Sequence, residues 1–290
     1  MANIITSPDA YQFWRDDKLA NIASSLDACL VEVDNLNCLT NAEKNQILRL
    51  CSANNFALFQ TSISTNIETN LVRFNQQFGL QEFDQHLYVK DQGLAHITRT
   101  EQRDQAEFIP YTDRAIGWHT DGYYNPIDNR IRAFSLFCAN PALSGGENQW
   151  IDHQIVYLLL REQNHDVVKA LCHPQAMSIP QHMVDGEVRR PTSTGPIFFI
   201  DELSQQLSMR YTQRKKNIEF YNSTEIVEAV KLLDELLAKQ TQHHFTHPMQ
   251  AGQGLICNNI LHTRRSFIDD DNHPRLMLRG RYFDQIQMAL

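Results

Sequence analysis

The sequence predicts an α+β protein whose core is a double-stranded β-helix, a jelly roll of the cupin type, with flanking helices. Three observations lead there. From about residue 85 onward, short apolar runs rich in β-branched and aromatic residues are broken by Pro, Gly, Asn and Asp, which is the texture of many short strands. The segments with helical periodicity lie outside those runs and do not alternate with them as βαβ units would, which favours an antiparallel sandwich or barrel over a doubly wound sheet. No repeat, low-complexity tract or Gly/Ser linker divides the 290 residues. One domain over 1–290 is therefore expected, with a helical part at 1–84 and the jelly-roll core at 85–290.

The elements follow in order. TNAEKNQILRLCSANN opens with Thr40 and Glu43 at capping-box spacing and continues with good helix formers. FALFQ, Phe56 to Gln60, is a strand. NIETNLVRFNQQFG is a second helix, with Ile67, Leu71, Phe74 and Phe78 on one stripe and Gly79 at its end. AFSLFCAN (Ala133 to Asn140), PIFFID (Pro196 to Asp201), LSMRYT (Leu207 to Thr212), GLICNN (Gly254 to Asn259) and RLMLRGRYF (Arg275 to Phe283) are strands. Helical insertions interrupt them at about 153–173, as one or two helices, and at about 222–240, where Asn222 with Glu225 is the expected cap and Ile226, Val230, Leu233 and Leu237 form the stripe. QHHFTH, with His243, His244 and His247, is a half-exposed strand edge.

Composition excludes some functions. Hydrophobic content of 42% and charged content of 21% are those of an ordinary globular chain, not a disordered one. A net charge of -8 argues against nucleic acid as a partner, since phosphate neutralisation needs a basic face. The start, MANIITSPDAYQFWRDD, lacks the pattern of a signal peptide, and no apolar run is long enough to span a bilayer. Six dispersed Cys without CxxC spacing read as reduced thiols, so a cytoplasmic protein is expected, with Cys138 and Cys257 packed in the core.

The stretch GWHTDGYYNP, Gly117 to Pro126, sets His119 and Asp121 two apart. On an extended strand such positions share a face, as two ligands of one metal would, with Thr120 turned away. A surface turn or a mutually satisfied core pair would read the same in isolation. The C-terminal third adds His262, offered where a strand ends, then an acidic loop, then Arg275 thirteen residues later at the head of an apolar strand. Two imidazoles and one carboxylate can occupy one face of iron(II) and leave the opposite positions open. A guanidinium at the start of an apolar strand is costly unless it meets an anion, and its planar fork matches a carboxylate. The other reading of Arg275 is a surface ion pair with Asp269, Asp270 or Asp271.

WHTD (Trp118 to Asp121), SGGEN (Ser144 to Asn148), NNILHTR (Asn258 to Arg264) and PRLMLRGR (Pro274 to Arg281) come in the order and spacing of one family. From about residue 85 to the C-terminus the chain resembles the TauD-like oxygenases, the group of taurine dioxygenase, clavaminate synthase and γ-butyrobetaine hydroxylase. The resemblance implies iron(II) as the metal, 2-oxoglutarate as cosubstrate and dioxygen as oxidant. It assigns His119, Asp121 and His262 as ligands and Arg275 as the partner of the distal carboxylate of 2-oxoglutarate. Asn148 stands where many relatives have a threonine that contacts 2-oxoglutarate, and Asn258 where an Asp is usual. The carboxylate at Asp121 excludes the halogenase variant of this chemistry. The expected reaction is decarboxylation of 2-oxoglutarate to succinate and carbon dioxide, coupled to oxidation, most simply hydroxylation, of a C–H bond.

The substrate is expected to be a small anionic or zwitterionic molecule: an amino acid, a sulfonate or a carboxylate. Arg279 falls where taurine dioxygenase itself uses an arginine for its anionic substrate. Arg210 and Tyr211 lie on a strand that lines the pocket in relatives, and Tyr123 and Tyr124 directly follow the first ligands. Arg281 would share the face of Arg279 or reach the surface, and FIPYTDRAIG, before the first ligands, could cover the site. A zinc hydrolase, drawing on His243, His244 or His247, and a non-catalytic binding protein on a cupin-like barrel are the alternatives. A homo-oligomer is compatible with the sequence.

Overall fold

The structure, a computed structural model, describes residues 4–85, 89, 93–101, 108–184 and 186–286. Nearly continuous apolar runs such as FALFQ and AFSLFCAN are buried along most of their length, as happens to strands covered on both faces. The chain folds into two compact units, each assembled from separate stretches.

The larger unit comprises Asn21–Ile116, Ile131–Trp150 and Phe245–Leu290. Its main sheet has six strands in the order Leu30–Glu32, Phe56–Gln60, Gln253–Cys257, Ala133–Asn140, Leu276–Tyr282 and Leu94–Ile97. The first pair is parallel, joined through the helix Asn41–Asn54; the rest are antiparallel, with Leu255 opposite both Leu58 and Leu136. A second sheet has the order Phe245–His247, Asn148–Ile151, Leu261–Arg264, Ile116–His119.

Alternation along the main strands divides two cores. On one face Ala57, Phe59, Phe137, Ile256, Leu278 and Tyr282 pack under Ile47, Cys51, Leu71 and Phe74 of the helices Asn41–Asn54 and Ile67–Gln76. On the other, Phe56, Leu58, Phe134, Leu136, Cys138, Leu255, Cys257 and Met277 meet Trp150 of the second sheet, with Phe245 packed against them. Two sheets facing across one core form the jelly roll. The Phe56 ring stands edge-on to Trp150 and to Phe245, with centroids 5.8 and 5.4 Å away. Cys138 and Cys257 are fully buried here, and none of the six cysteines forms a disulfide.

The smaller unit comprises Met1–Ala20, Gly117–Arg130 and Ile151–His244. It holds the helices Pro8–Asn21, His153–Gln163, His165–Leu171 and Thr224–Ala238, together with short antiparallel strands. Its buried polar link is the ion pair Lys18 Nζ to Asp152 Oδ2, 2.5 Å.

Local signals explain most elements. Thr40 and Glu43 form the expected capping box, with the Glu43 N–H donating to Thr40 Oγ1 at 3.3 Å and the Thr40 N–H to Glu43 Oε2 at 2.6 Å. The stretch 153–173 resolves into two helices, because the Asn164 side chain caps the second of them by accepting from the Asp166 N–H. Two expectations need correction. The last long helix is capped by Ser223, whose hydroxyl accepts from the Ile226 N–H, not by Asn222. The strand expected over Leu207–Thr212 pairs regularly with Phe198–Ile200 only to Met209; beyond it the backbone turns to bond with residues 118–120. The helix Pro8–Asn21 was not legible, since its buried stripe is Tyr11, Trp14 and Lys18, with a charge where an apolar residue would signal it.

Candidate metal and cosubstrate site

His119 ends the strand Ile116–His119, and Asp121 opens the turn after it. Thr120 points away as expected: its N–H donates to the Tyr211 carbonyl at 3.0 Å, and its hydroxyl accepts from the Tyr211 N–H at 3.1 Å. These bonds, with the Gln213 N–H to Trp118 O contact at 2.8 Å, fix the backbone on both sides of His119. His119 Nε2 and Asp121 Oδ1 are 3.9 Å apart, and Asp121 is buried.

His262 lies on Leu261–Arg264, reached through a turn at Asn258-Asn259 in which Asn259 takes a left-handed conformation, φ 47°. Asn259 Nδ2 donates to Ile131 O at 2.7 Å, and Asn258 Oδ1 accepts from the Ile286 N–H, so this neutral pair is spent on holding the turn. The His262 ring packs against Phe134, centroids 4.6 Å apart.

One ligand atom from each of His119, Asp121 and His262 lies within 4.8 Å of the others, and among the described residues this is the group of metal-binding side chains that comes together. Both imidazoles are set alike. His119 Nδ1 is 2.9 Å from the Gly117 carbonyl and His262 Nδ1 is 3.0 Å from the Ile260 carbonyl, each two residues back. A carbonyl can only accept, so Nδ1 carries a proton, as it does in the tautomer whose Nε2 ligates a metal. Two neutral imidazoles and a carboxylate suit iron(II).

Arg275 is buried, 4% exposed, beside a cavity of about 250 Å³ lined also by Cys138, Gly146, Asn148, Met249 and Met277. The surface ion-pair reading does not hold. Asp269 accepts from the Arg275 backbone N–H at 2.7 Å, Asp270 pairs with His273 and Asp271 with Arg99, so no carboxylate forms a salt bridge with this guanidinium among the described residues. Burial holds the Arg275 pKa below the usual arginine range, with Cys138 and Asp269 opposing. Asn148 Oδ1 is likewise buried without a hydrogen-bond partner among the described residues. The SGG turn explains itself here. Gly145 and Gly146 have φ near 75°; a Cβ on Gly145 would sit 2.5 Å from Ser266 O, and one on Gly146 would press on Phe267 Cβ at 3.2 Å.

The other expected residues are placed as follows. The Tyr123 ring is 6.4 Å from His119 and 5.1 Å from Tyr124. Arg279 shares the Met277 face of its strand, and Arg281 is buried in an ion pair with Asp84. Arg210 donates to the carbonyls of Met177 and Ser193 and to the Ser193 hydroxyl, and burial lowers its pKa to about 10. Tyr211 donates to Asp234 of the helix Thr224–Ala238. Most of their polar atoms are thus engaged inside the smaller unit, while Arg210 Nε is buried without a hydrogen-bond partner among the described residues. His244 stands edge-on to Trp118, and His247 Nε2 meets Gln253 Oε1 at 2.7 Å; neither joins the metal-binding group.

Arg264 has a role that the motif alone did not disclose. Buried, it donates to the carbonyls of Pro110 (3.0 Å), Thr112 (2.7 Å) and Arg114 (2.5 Å), clamping the segment that precedes His119. Burial, then the charges of Arg275 and Arg279, bring its pKa down to about 9 against the pull of Asp113. The expected covering loop is thus anchored at its middle, with Tyr111 in the core and Phe108 and Ile109 exposed.

With this geometry established, comparison with known proteins is specific. The sequence model of the family described as "Taurine catabolism dioxygenase TauD, TfdA family" matches residues 18–281. A uridine-5'-phosphate dioxygenase from a Streptomyces species is 24% identical over 246 residues, 80% of this chain and 87% of that protein. Among solved structures, an asparagine oxygenase in complex with Fe(II), 3-hydroxyasparagine and succinate superposes with TM-score 0.62 at 13% identity, covering 84% of this chain and 79% of that one. A putative alpha-ketoglutarate-dependent taurine dioxygenase from Burkholderia xenovorans gives 0.60 at 16% identity, covering 88% and 87%. The chain belongs to the TauD/TfdA family and is a dioxygenase of the iron(II)- and 2-oxoglutarate-dependent class. No helix among the described residues is long and apolar enough to cross a membrane.

Proposed function

We propose that this chain hydroxylates a small anionic substrate, that His119, Asp121 and His262 hold the iron(II), and that Arg275 with Asn148 holds the distal carboxylate of 2-oxoglutarate. The observation that carries the cosubstrate assignment is a buried guanidinium, without a salt bridge among the described residues, at the wall of a cavity that Asn148 also lines. A carboxylate supplies the anion that the guanidinium lacks, and it can accept from the side-chain amide N–H of Asn148. Iron(II), 2-oxoglutarate and dioxygen, when bound, supply the oxidation: 2-oxoglutarate is cleaved to succinate and carbon dioxide, and one oxygen atom enters a substrate C–H bond.

The protein's own residues do the positioning. The Nδ1–H bonds of His119 and His262 fix ring orientation and tautomer before any metal arrives. The buried Asp121 carboxylate provides the anionic ligand, and Met249, Met277 and Cys138 give the cosubstrate cavity an apolar part of its wall. The Streptomyces relative acts, by its name, on uridine-5'-phosphate, which supports an anionic substrate here. Tyr123, Tyr124 and Arg279 remain the candidates for contacting it.

The test is succinate release from 2-oxoglutarate by the purified protein with iron(II) and ascorbate, then a screen of anionic small molecules scored by stimulated release and by product mass. Slow basal succinate, stimulated by a compound that gains one oxygen atom, is expected. No succinate under any condition would end the assignment.

A further inference from the structure

In a chain of net charge -8, two short basic runs stand out besides Arg264-Arg265: Arg189-Arg190, and Arg214 with Lys215 and Lys216. Both lie in the smaller unit, the one that carries His119 and Asp121. Arg190 ends the hairpin formed by His182–Val184 and Glu187–Arg190. Its guanidinium donates to the carbonyls of Pro180 (2.6 Å), Pro191 (3.1 Å) and Tyr124 (3.4 Å), and lies 5.8 Å from the centre of the Tyr124 ring. Those bonds fix the planar fork and leave two of its five N–H donors. Arg214 directly follows Gln213, whose backbone bonds to Trp118, and its guanidinium donates to the Tyr123 hydroxyl at 3.3 Å.

The electrostatics of this cluster are one-sided. Burial and then the charge of Arg214 push Arg190 below the usual arginine range, and the groups opposing that are the hydroxyls of Tyr123 and Tyr124, with no carboxylate among them. Among the described residues neither guanidinium forms a salt bridge, so a bound anion would relieve their mutual repulsion.

We propose that Arg190 and Arg214, flanked by Tyr123 and Tyr124, bind the anionic group of the substrate, and that this group is a phosphate monoester. A carboxylate or sulfonate brings one negative charge. A phosphate monoester brings nearly two at neutral pH and three acceptor oxygens, matching two cationic forks. The tyrosine rings beside it offer edges and faces to the body of the molecule, and Tyr123 places that body next to His119. The placement beside the reaction centre rests on the proposed role of His119 and Asp121; the anion site itself does not.

The test uses inorganic phosphate as probe, with the iron-free full-length protein, read by ³¹P line broadening. Saturable broadening is expected, displaced by sulfate and not by acetate at equal ionic strength, with apparent affinity at least tenfold weaker in both Arg190→Gln and Arg214→Gln. Arg214 is exposed, so its variant tests the site without threatening the fold. Broadening that never saturates, affinity unchanged in both variants, or acetate competing as well as sulfate would overturn the proposal. Basal succinate release by the wild-type protein is measured in parallel. Phosphate binding without succinate would count against the oxygenase reading and leave the anion site standing; succinate without phosphate binding would remove the anion site alone.

Discussion

Replacing Arg275 by Met separates cosubstrate binding from folding. The guanidinium is buried with no salt bridge among the described residues, so the folded protein without ligand has little to lose from its removal. An isolated buried charge is unfavourable, and an unbranched apolar side chain of similar length fits beside Phe267, whose ring lies 5.1 Å from the guanidinium carbon. Stability of the ligand-free protein should stay equal or rise by about 1 kcal/mol. Cosubstrate binding should behave in the opposite way. Two charge-assisted hydrogen bonds at roughly 1.5–3 kcal/mol each, discounted for non-additivity, suggest a loss of about 3 kcal/mol, or about 100-fold in affinity. At 2-oxoglutarate one hundred times the wild-type Kd, ligand stabilisation is about 2.7 kcal/mol and would fall to about 0.4 kcal/mol in the variant. With about 2 °C per kcal/mol at this size, the 2-oxoglutarate-induced rise in Tm drops from about 5 °C to about 1 °C. Thermal unfolding with and without 2-oxoglutarate measures both effects. A variant that keeps the full ligand-induced shift would refute the reasoning.

Other consequences follow from the same structure. His119→Ala and Asp121→Ala should each lower basal succinate release by at least about 100-fold, checked by coupled succinate assay, because each removes one of three donors to the metal. Arg264→Met leaves the carbonyls of Pro110, Thr112 and Arg114 without their shared donor; it should cost about 3 kcal/mol and speed amide exchange across residues 109–114 ahead of the main sheet. His153 is buried, and burial lowers its pKa against the pull of Asp152. Its contribution to stability is present above the unfolded value of about 6.5 and is lost as pH falls below that toward the folded value. Urea midpoints should therefore decline from about pH 6.5 downward, less steeply in His153→Gln, which keeps a donor for Leu207 O.

Much of the core was legible because burial on both faces leaves an unmistakable apolar run, as in Phe56–Gln60 and Ala133–Asn140. The capping box at Thr40 was legible because it is local. Arg275 was legible as a cost: a cation opening an apolar strand needs a reason. What was not legible depends on contacts made across the fold. The sequence around Arg210 and Tyr211 offers polar side chains in the right region but cannot say that Met177, Ser193 and Asp234 engage them. Arg264 carried no local sign that three carbonyls from 110–114 would converge on it. Arg190 and Arg214 are 24 residues apart and come within electrostatic range only because one closes a hairpin while the other follows the segment bonded to Trp118. Their one sequence signal was a pair of basic runs in an acidic chain.

The central claim is that three side chains grip one iron. Anaerobic equilibrium dialysis against iron(II), with metal content measured per chain, tests it directly. One iron per wild-type chain is predicted, with tight binding lost in each of His119→Ala, Asp121→Ala and His262→Ala and retained in His247→Ala. Iron bound equally well by all three ligand variants, or lost from the His247 variant instead, would contradict the account.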